Sequence, residues 1–270
     1  MSGAARKGVV YLVGAGPGAA DLLTVRALRL LETADVVLHD DLVPREVLAV
    51  AGTQALVTSV GKRCGQAKMT QAAIHAMMVD CARQGMSVVR LKSGDPMIYG
   101  RAGEEMEALR EAGVEFEIVP GVTAASAAAA SAQVALTDRR TAAMLMIVTG
   151  HYAAEKDQRR PVFETAPPQD ATLVVYMPGR EFAALAEELM GHGWAAEVPC
   201  CAVSHAAQAG QQVRVTELGQ LGALVPGPAP VVLLIGRAVA GARDSDGLGA
   251  VDAVLEPLAR EIALVAGSGN

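Results

Sequence analysis

Two glycine-rich segments carry residue types from which a nucleotide-sized ligand site can be built. Gly14-Ala15-Gly16-Pro17-Gly18-Ala19 follows the apolar run Val9 to Val13 and satisfies the spacing G-x-G-x-x-G/A. Leu91-Lys92-Ser93-Gly94-Asp95-Pro96 follows a later apolar run, Val88 to Leu91, and opens onto Tyr99-Gly100-Arg101. Loops at the carboxyl ends of parallel strands are where open α/β sheets bind ligands, and glycine lets the backbone come close. Asp95 can accept hydrogen bonds from an amine or from hydroxyls, or it can close an Asx-turn and bind nothing. Asp40 ends a third apolar run, Val36 to His39, about where a dinucleotide site puts its ribose-binding acid.

A nicotinamide-binding reading of these residues meets two obstacles. Its helix should start at the second glycine, with its N–H groups facing a pyrophosphate. Here Pro17 and Gly18 extend the loop, and the first capping residue is Asp21. A dinucleotide fold also has no use for the second loop. A structural turn needing positive φ explains either loop singly, but less well both together. The five histidines (His39, His75, His151, His192, His205) show no H-x-x-x-H spacing and no cysteine partners, so no metal is expected.

The elements that would position these loops alternate. After Asp21, Leu23, Ala27, Leu30 and Leu31 fall at helical spacing, with Arg26, Arg29 and Glu32 opposite. Val36 to His39 is a strand. Thr70 caps a helix with the stripe Ile74, Met77, Met78 and Cys81. A strand at Val88 to Leu91, a helix at Gly103 to Ala112 and a strand at Phe116 to Val119 follow. Strands alternating with helices predict a mainly parallel sheet covered on both faces. Pro120-Gly121 is the expected joint, giving an N-terminal α/β domain (1–120), a C-terminal α/β domain (121–240) and a connector with a terminal helix (241–270). The second half is expected to hold an alanine-rich helix (Thr123 to Val134) and a helix carrying Phe182, Leu185, Ala186 and Leu189. Its strands are expected at Leu145 to Val148, Leu173 to Met177, Cys200 to Val203 and Val231 to Ile235, in the same architecture as the first half. Ala153 to Asp170 reads as a mobile surface loop, and Val251 to Val265 as the terminal helix.

Composition narrows the partners. The chain has 270 residues, 51% hydrophobic and 19% charged, enough to bury a large core; with aromatics at 3%, Ala, Val and Leu must fill it. A net charge of −6 argues against nucleic acid, which needs a basic face. The four cysteines (Cys64, Cys81, Cys200, Cys201) form no C-x-x-C pair. With no apolar stretch suited to a signal or a membrane span, this predicts a reduced, cytoplasmic protein that does not enter membranes.

The segments VGAGPGAADLLTVRA and VVRLKSGDPMIYGRAGEEMEALREAGVEFEIVPG resemble the two that mark the tetrapyrrole (corrin and porphyrin) methyltransferases. VLHDDLV, VGKRCG and LTDRR resemble the branch acting on uroporphyrinogen III. The resemblance runs from Val9 to about Val239 and thins after Gly150. It implies two α/β domains of the tetrapyrrole methylase type, with S-adenosylmethionine in the interdomain cleft, S-adenosylhomocysteine as product, and a homodimer. On this basis the first glycine loop lines the cleft instead of cradling the cofactor.

Carried over by position, the cofactor contacts are Pro17, Ser93, Gly94, Asp95, Ile98, Thr123, Ala124, Met177 and Ala206. At Ala206 the family often has glycine. Asp40 corresponds to a proton acceptor and Lys62 to a proton donor, though Lys62 could equally pair with a substrate carboxylate. Gly16, Arg63, Arg101 and Arg139 correspond to the substrate side. The implied reaction is methylation of uroporphyrinogen III at C-2 and C-7 to give precorrin-2, on the way to siroheme or cobalamin. Its eight carboxylates would need local cations from a protein of net negative charge. Residues 1–120 carry 13 basic against 14 acidic residues and residues 121–270 carry 10 against 15, which favours the first half plus the Arg139-Arg140 turn. A later corrin-ring methyltransferase, a nicotinamide oxidoreductase and a non-catalytic binding protein are the rival readings.

Overall fold

The computed structural model describes residues 4–61, 69–150, 161–179 and 182–247. Lys62, Arg63, Cys64, Lys68, the start of the Ala153–Asp170 segment and the expected terminal helix therefore lie outside the described residues.

Strands β1 (Val10–Gly14), β2 (Val36–His39), β3 (Leu56–Ser59), β4 (Val88–Lys92) and β5 (Phe116–Val119) form one sheet in the order β3-β2-β4-β1-β5, parallel throughout. The central strands are apolar at nearly every position because both faces are covered. Tyr11 and Val13 pack on one side with Ala27, Leu30 and Leu31 of α1 (Val25–Thr33) and with Val47 of α2 (Arg45–Leu48). Val10 and Leu12 pack on the other side with Ile74 and Met78 of α3 (Gln71–Arg83) and Leu109 of α4 (Ala102–Glu111). This strand order sets the carboxyl ends of β4, β1 and β5 side by side.

Two details of the first half differ from expectation. The cap of α1 is Thr24, whose hydroxyl accepts from the Ala27 N–H at 3.1 Å; Asp21 lies in a separate single turn, Ala20–Leu22. The backbone of Leu23 is extended, so the turn and the helix cannot join. In α3, Thr70 caps as expected (3.1 Å to the Ala73 N–H), but the buried stripe is Ile74, Met78, Val79 and Ala82, and Met77 and Cys81 sit on its flank.

The second half departs further. Strands β6 (Met144–Thr149), β7 (Ala171–Tyr176), β8 (Pro199–Ser204), β9 (Gln212–Glu217), β10 (Val231–Ile235) and β11 (Ser245–Asp246) form a sheet in the order β11-β9-β8-β10-β7-β6. Only β6 and β7 pair in parallel; every other neighbour is antiparallel. The two halves thus do not share one architecture. For β9 the reason is local: the loop between Ser204 and Gln212 returns the chain as β9, whose residues Gln-Val-Arg-Val-Thr-Glu alternate polar and apolar over most of their length as a half-exposed antiparallel strand does. The alanine-rich helix α5 (Ala124–Ser131) is shorter than expected and packs through Ala125, Ala127 and Ala128 on Val203, Val232 and Leu234. The helix α6 (Phe182–Gly191) covers the opposite face with Phe182, Leu185 and Leu189. Cys200 and Cys201 point to opposite faces of this sheet, and burial pushes each thiol up to about 12.

Candidate functional site

The two glycine loops zip to each other. Gly14 of β1 lies beside Lys92 of β4. The Ala15 N–H donates to the Lys92 carbonyl at 2.7 Å, and Gly16 and Gly94 exchange hydrogen bonds of 3.2 and 2.7 Å. The N–H groups that a dinucleotide phosphate would need at Ala15 and Gly16 are therefore already bonded. Gly121 completes the junction: a Cβ there would sit 2.3 Å from the Gly94 carbonyl oxygen, and one on Gly14 would sit 2.6 Å from Gly121. Three strand ends meet because none of these residues carries a side chain. Asp95 fastens the same junction, accepting from the Met97 N–H at 2.8 Å and the Gly121 N–H at 3.0 Å. The first bond is the Asx-turn weighed from sequence. Each carboxylate oxygen keeps further acceptor capacity.

Above this junction lies a cavity of about 220 Å³ between the two sheets. Pro17, Ser93, Gly94, Asp95 and Ile98 line it from the first half, and Thr123, Ala124, Met177 and Ala206 from the second. All nine residues named as cofactor contacts thus border one space. Among the lining residues that sequence reasoning missed are two tyrosines and a glutamine. Tyr176 is fixed by its hydroxyl, 2.5 Å from Thr123 Oγ1 and accepting from the Ala125 N–H at 2.9 Å. Tyr99 packs on Tyr176 with ring centroids 5.3 Å apart. Gln208 reaches across from the second half, its Nε2 donating to the Pro17 carbonyl at 2.5 Å. Apolar walls with a few convergent polar groups are the usual character of a small-molecule site. Of the six non-glycine residues with positive φ among the described residues, Tyr99 and Met177 line this space, and Arg101, His205 and Ala207 are chain neighbours of lining residues. Such strain persists only where surrounding structure over-determines it, and it gathers at functional sites.

A second cavity of about 280 Å³ adjoins the first. Asp40, Leu42, Tyr99 and Gly100 border both. Its own walls include Asp41, Arg90, Lys92 and Arg101, so it is charged where the first is apolar. Beneath it is a buried ionic network that the sequence reading passed over. Arg90 is 2% exposed; its Nη2 donates to Asp40 Oδ1 and its Nε to Glu105 Oε1 at 2.9 Å. Its Nη1 reaches the Leu38 and Leu91 carbonyls at 3.3 and 3.2 Å. Lys92 Nζ donates to the same Glu105 oxygen at 2.9 Å. Burial, then repulsion from Arg90, holds the Lys92 ammonium pKa below its ordinary value, against the pull of Glu105 and Asp40. Asp40, one-third exposed, is thus held by a buried guanidinium while facing both cavities. The signal was present: Arg90 and Lys92 alternate inside a strand otherwise buried and apolar, where a charge needs a partner.

Other expected residues lie apart. Gly16 takes part in the zip and borders neither cavity. Arg101 lines the second cavity but forks onto Glu104 at 2.7 and 2.6 Å. Arg139 is exposed and borders neither cavity.

Comparison with known proteins gives a consistent result. Residues 9–222 match the model of the Tetrapyrrole (Corrin/Porphyrin) Methylases. A uroporphyrinogen-III C-methyltransferase of Paracoccus denitrificans is 44% identical over 247 residues, which is 90% of this chain and 86% of that protein. Siroheme synthase 2 of Yersinia pestis is 42% identical over 86% of this chain, and the chain spans 49% of its length. Among solved structures, the uroporphyrin-III C-methyltransferase of Thermus thermophilus complexed with S-adenyl homocysteine has a TM-score of 0.72 at 36% identity, covering 86% of this chain and 93% of that one.

Proposed function

The chain belongs to the tetrapyrrole (corrin/porphyrin) methylase family, and on that premise we propose that it methylates uroporphyrinogen III at C-2 and C-7, using S-adenosylmethionine and giving precorrin-2. The observation that carries the proposal is the shared wall: an apolar cavity suited to a nucleoside-type ligand opens onto a charged one at Asp40 and Tyr99. We take residues 1–120 and 121–240 as two domains and the cavities as their cleft. The reading also carries a homodimer and a cytoplasmic location.

The residues that would hold S-adenosylmethionine are Pro17, Ser93, Gly94, Asp95, Ile98, Thr123, Ala124, Met177 and Ala206. Their mix suits it: Asp95 can still accept from an amine or hydroxyls, and Ile98, Met177 and Pro17 give apolar contact. When bound, the cofactor supplies an activated methyl group on a sulfonium. Accepting that methyl at a pyrrole carbon, with the thioether as leaving group, would make the ring cationic. Asp40 would stabilise that charge and accept the proton that the ring then loses. The chain's main contribution is orientation of the reacting carbon. Arg101, exchanging Glu104 for substrate, and Arg63 would meet substrate carboxylates as guanidinium forks; Arg139, which borders neither cavity, would meet only a carboxylate projecting beyond them, and Lys62 would return a proton or pair with a further carboxylate.

The direct test is an anaerobic incubation with uroporphyrinogen III and S-adenosylmethionine, followed by mass spectrometry of the tetrapyrrole. A gain of two methyl groups is expected. No gain, with S-adenosylhomocysteine still bound, would move the substrate to a later corrin intermediate. Weighing against that alternative is the 44% identity to a relative named for uroporphyrinogen III.

A further inference from the structure

Tyr99 is held in place at some cost. Its φ is +52°, a left-handed conformation that is an outlier for a bulky side chain. Gly100 follows it, where a Cβ would sit 2.5 Å from the Pro96 carbonyl oxygen. Two contacts from the second half hold the side chain: its hydroxyl donates to the Ile147 carbonyl at 3.0 Å, and its ring tilts against that of Tyr176. The whole chain has only four tyrosines, and two of them stand together here.

Under the proposed methyl transfer, on which this inference rests, the position of the ring pair has a chemical meaning. A methyl group can pass from the apolar cavity to the charged one only at their common border. That border is Asp40, Leu42, Tyr99 and Gly100. Asp40 shares its charge with Arg90 and, in the proposed reaction, faces the ring that becomes cationic. Leu42 and Gly100 have no side-chain group that attracts a cation. Tyr99 alone among the four carries a π-face, and such a face attracts a cation within about 6 Å of the ring centroid. The reacting sulfonium is a cation; the thioether left after transfer is neutral.

We propose that Tyr99, backed by Tyr176, is a specificity-determining residue that recognises the sulfonium at the border of the two cavities. It favours the charged methyl donor over the neutral product and so assists product release. The backbone strain at Tyr99 is then the means of presenting a ring where an ordinary φ would not place one.

The test is isothermal titration of S-adenosylmethionine and, separately, of S-adenosylhomocysteine into the wild-type chain and two variants. Tyr99→Asn removes the ring with a residue that tolerates left-handed backbone, and Tyr99→Phe keeps the ring without its hydroxyl. Tyr99→Asn is expected to weaken S-adenosylmethionine about three- to tenfold more than S-adenosylhomocysteine, and Tyr99→Phe to leave the ratio of the two affinities unchanged. Equal weakening of both ligands by Tyr99→Asn would reduce Tyr99 to a packing residue and overturn the proposal. A loss of discrimination in Tyr99→Phe as large as in Tyr99→Asn would assign the effect to the hydroxyl and overturn it also. Wild-type protein that bound neither ligand would overturn the cofactor reading itself, and this inference with it.

Discussion

The first cavity is built from backbone, small side chains and apolar surface drawn from both halves; the second is lined by the first half alone and adds Asp41, Arg90, Lys92 and Arg101 to an apolar wall. The first gets its shape from close approach of the main chain, because Gly14, Gly94 and Gly121 leave no side chain between three strand ends. The second gets its character from a buried network in which Arg90 and Lys92 share Glu105 and Arg90 holds Asp40. One half of the site is thus a matter of space and the other of charge. The two should fail differently when damaged.

The largest effect is expected in the charged half. Arg90→Met leaves Glu105 without one of its cations and Asp40 without its guanidinium. Breaking a buried pair in this way costs about 3–5 kcal/mol, to be read from urea denaturation, and turnover should be lost as well. The folded fraction should still bind S-adenosylhomocysteine; loss of that binding would show that the cavities are not separable. Next is Asp40→Asn, nearly isosteric. Turnover should fall roughly a hundredfold or more, with S-adenosylhomocysteine affinity within about threefold of wild type by titration. A collapse of that affinity would make Asp40 a cofactor ligand instead.

The apolar half gives the opposite pattern. Gly121→Ala forces a Cβ against the Gly94 carbonyl oxygen, 2.3 Å away before relaxation. Overpacking of this kind costs about 1–3 kcal/mol. S-adenosylhomocysteine affinity should drop markedly as the loops part, and unchanged affinity would remove the glycine junction from the site. Smallest is Arg101→Ala. Because Arg101 is half-exposed and forks onto Glu104, its removal should raise the KM for tetrapyrrole about tenfold, with the KM for S-adenosylmethionine unmoved in steady-state kinetics. A change confined to the cofactor KM would contradict the assignment of the second cavity to substrate.

The difference between the halves also explains what could be read in the sequence. A cavity made by backbone at strand ends leaves contiguous marks in the two glycine loops, and the nine residues from Pro17 to Ala206 carried over by resemblance line one space. Both glycine loops and nearly every strand of the parallel sheet were legible for the same reason: buried strands are short, apolar and followed by glycine. The charged network was half legible: two charges inside a buried apolar strand signal that partners are needed, but Glu105 meets Arg90 and Lys92 only when β4 packs against α4, and no local spacing names that partner. The antiparallel turn of β9 was missed because its alternation is brief and half polar. Arg139 was placed by resemblance alone, and in the folded chain it is exposed, away from both cavities.

The central claim is that the cofactor occupies the apolar cavity and the tetrapyrrole the charged one. The most direct measurement is a crystal structure of the chain with S-adenosylhomocysteine bound. The account predicts its density between the Ser93–Ile98 loop and Met177, with the thioether sulfur facing Tyr99 and the charged cavity open beyond it. Density lying along Gly14 to Ala19 in the manner of a dinucleotide, or within the Arg90–Arg101 cavity, would contradict it.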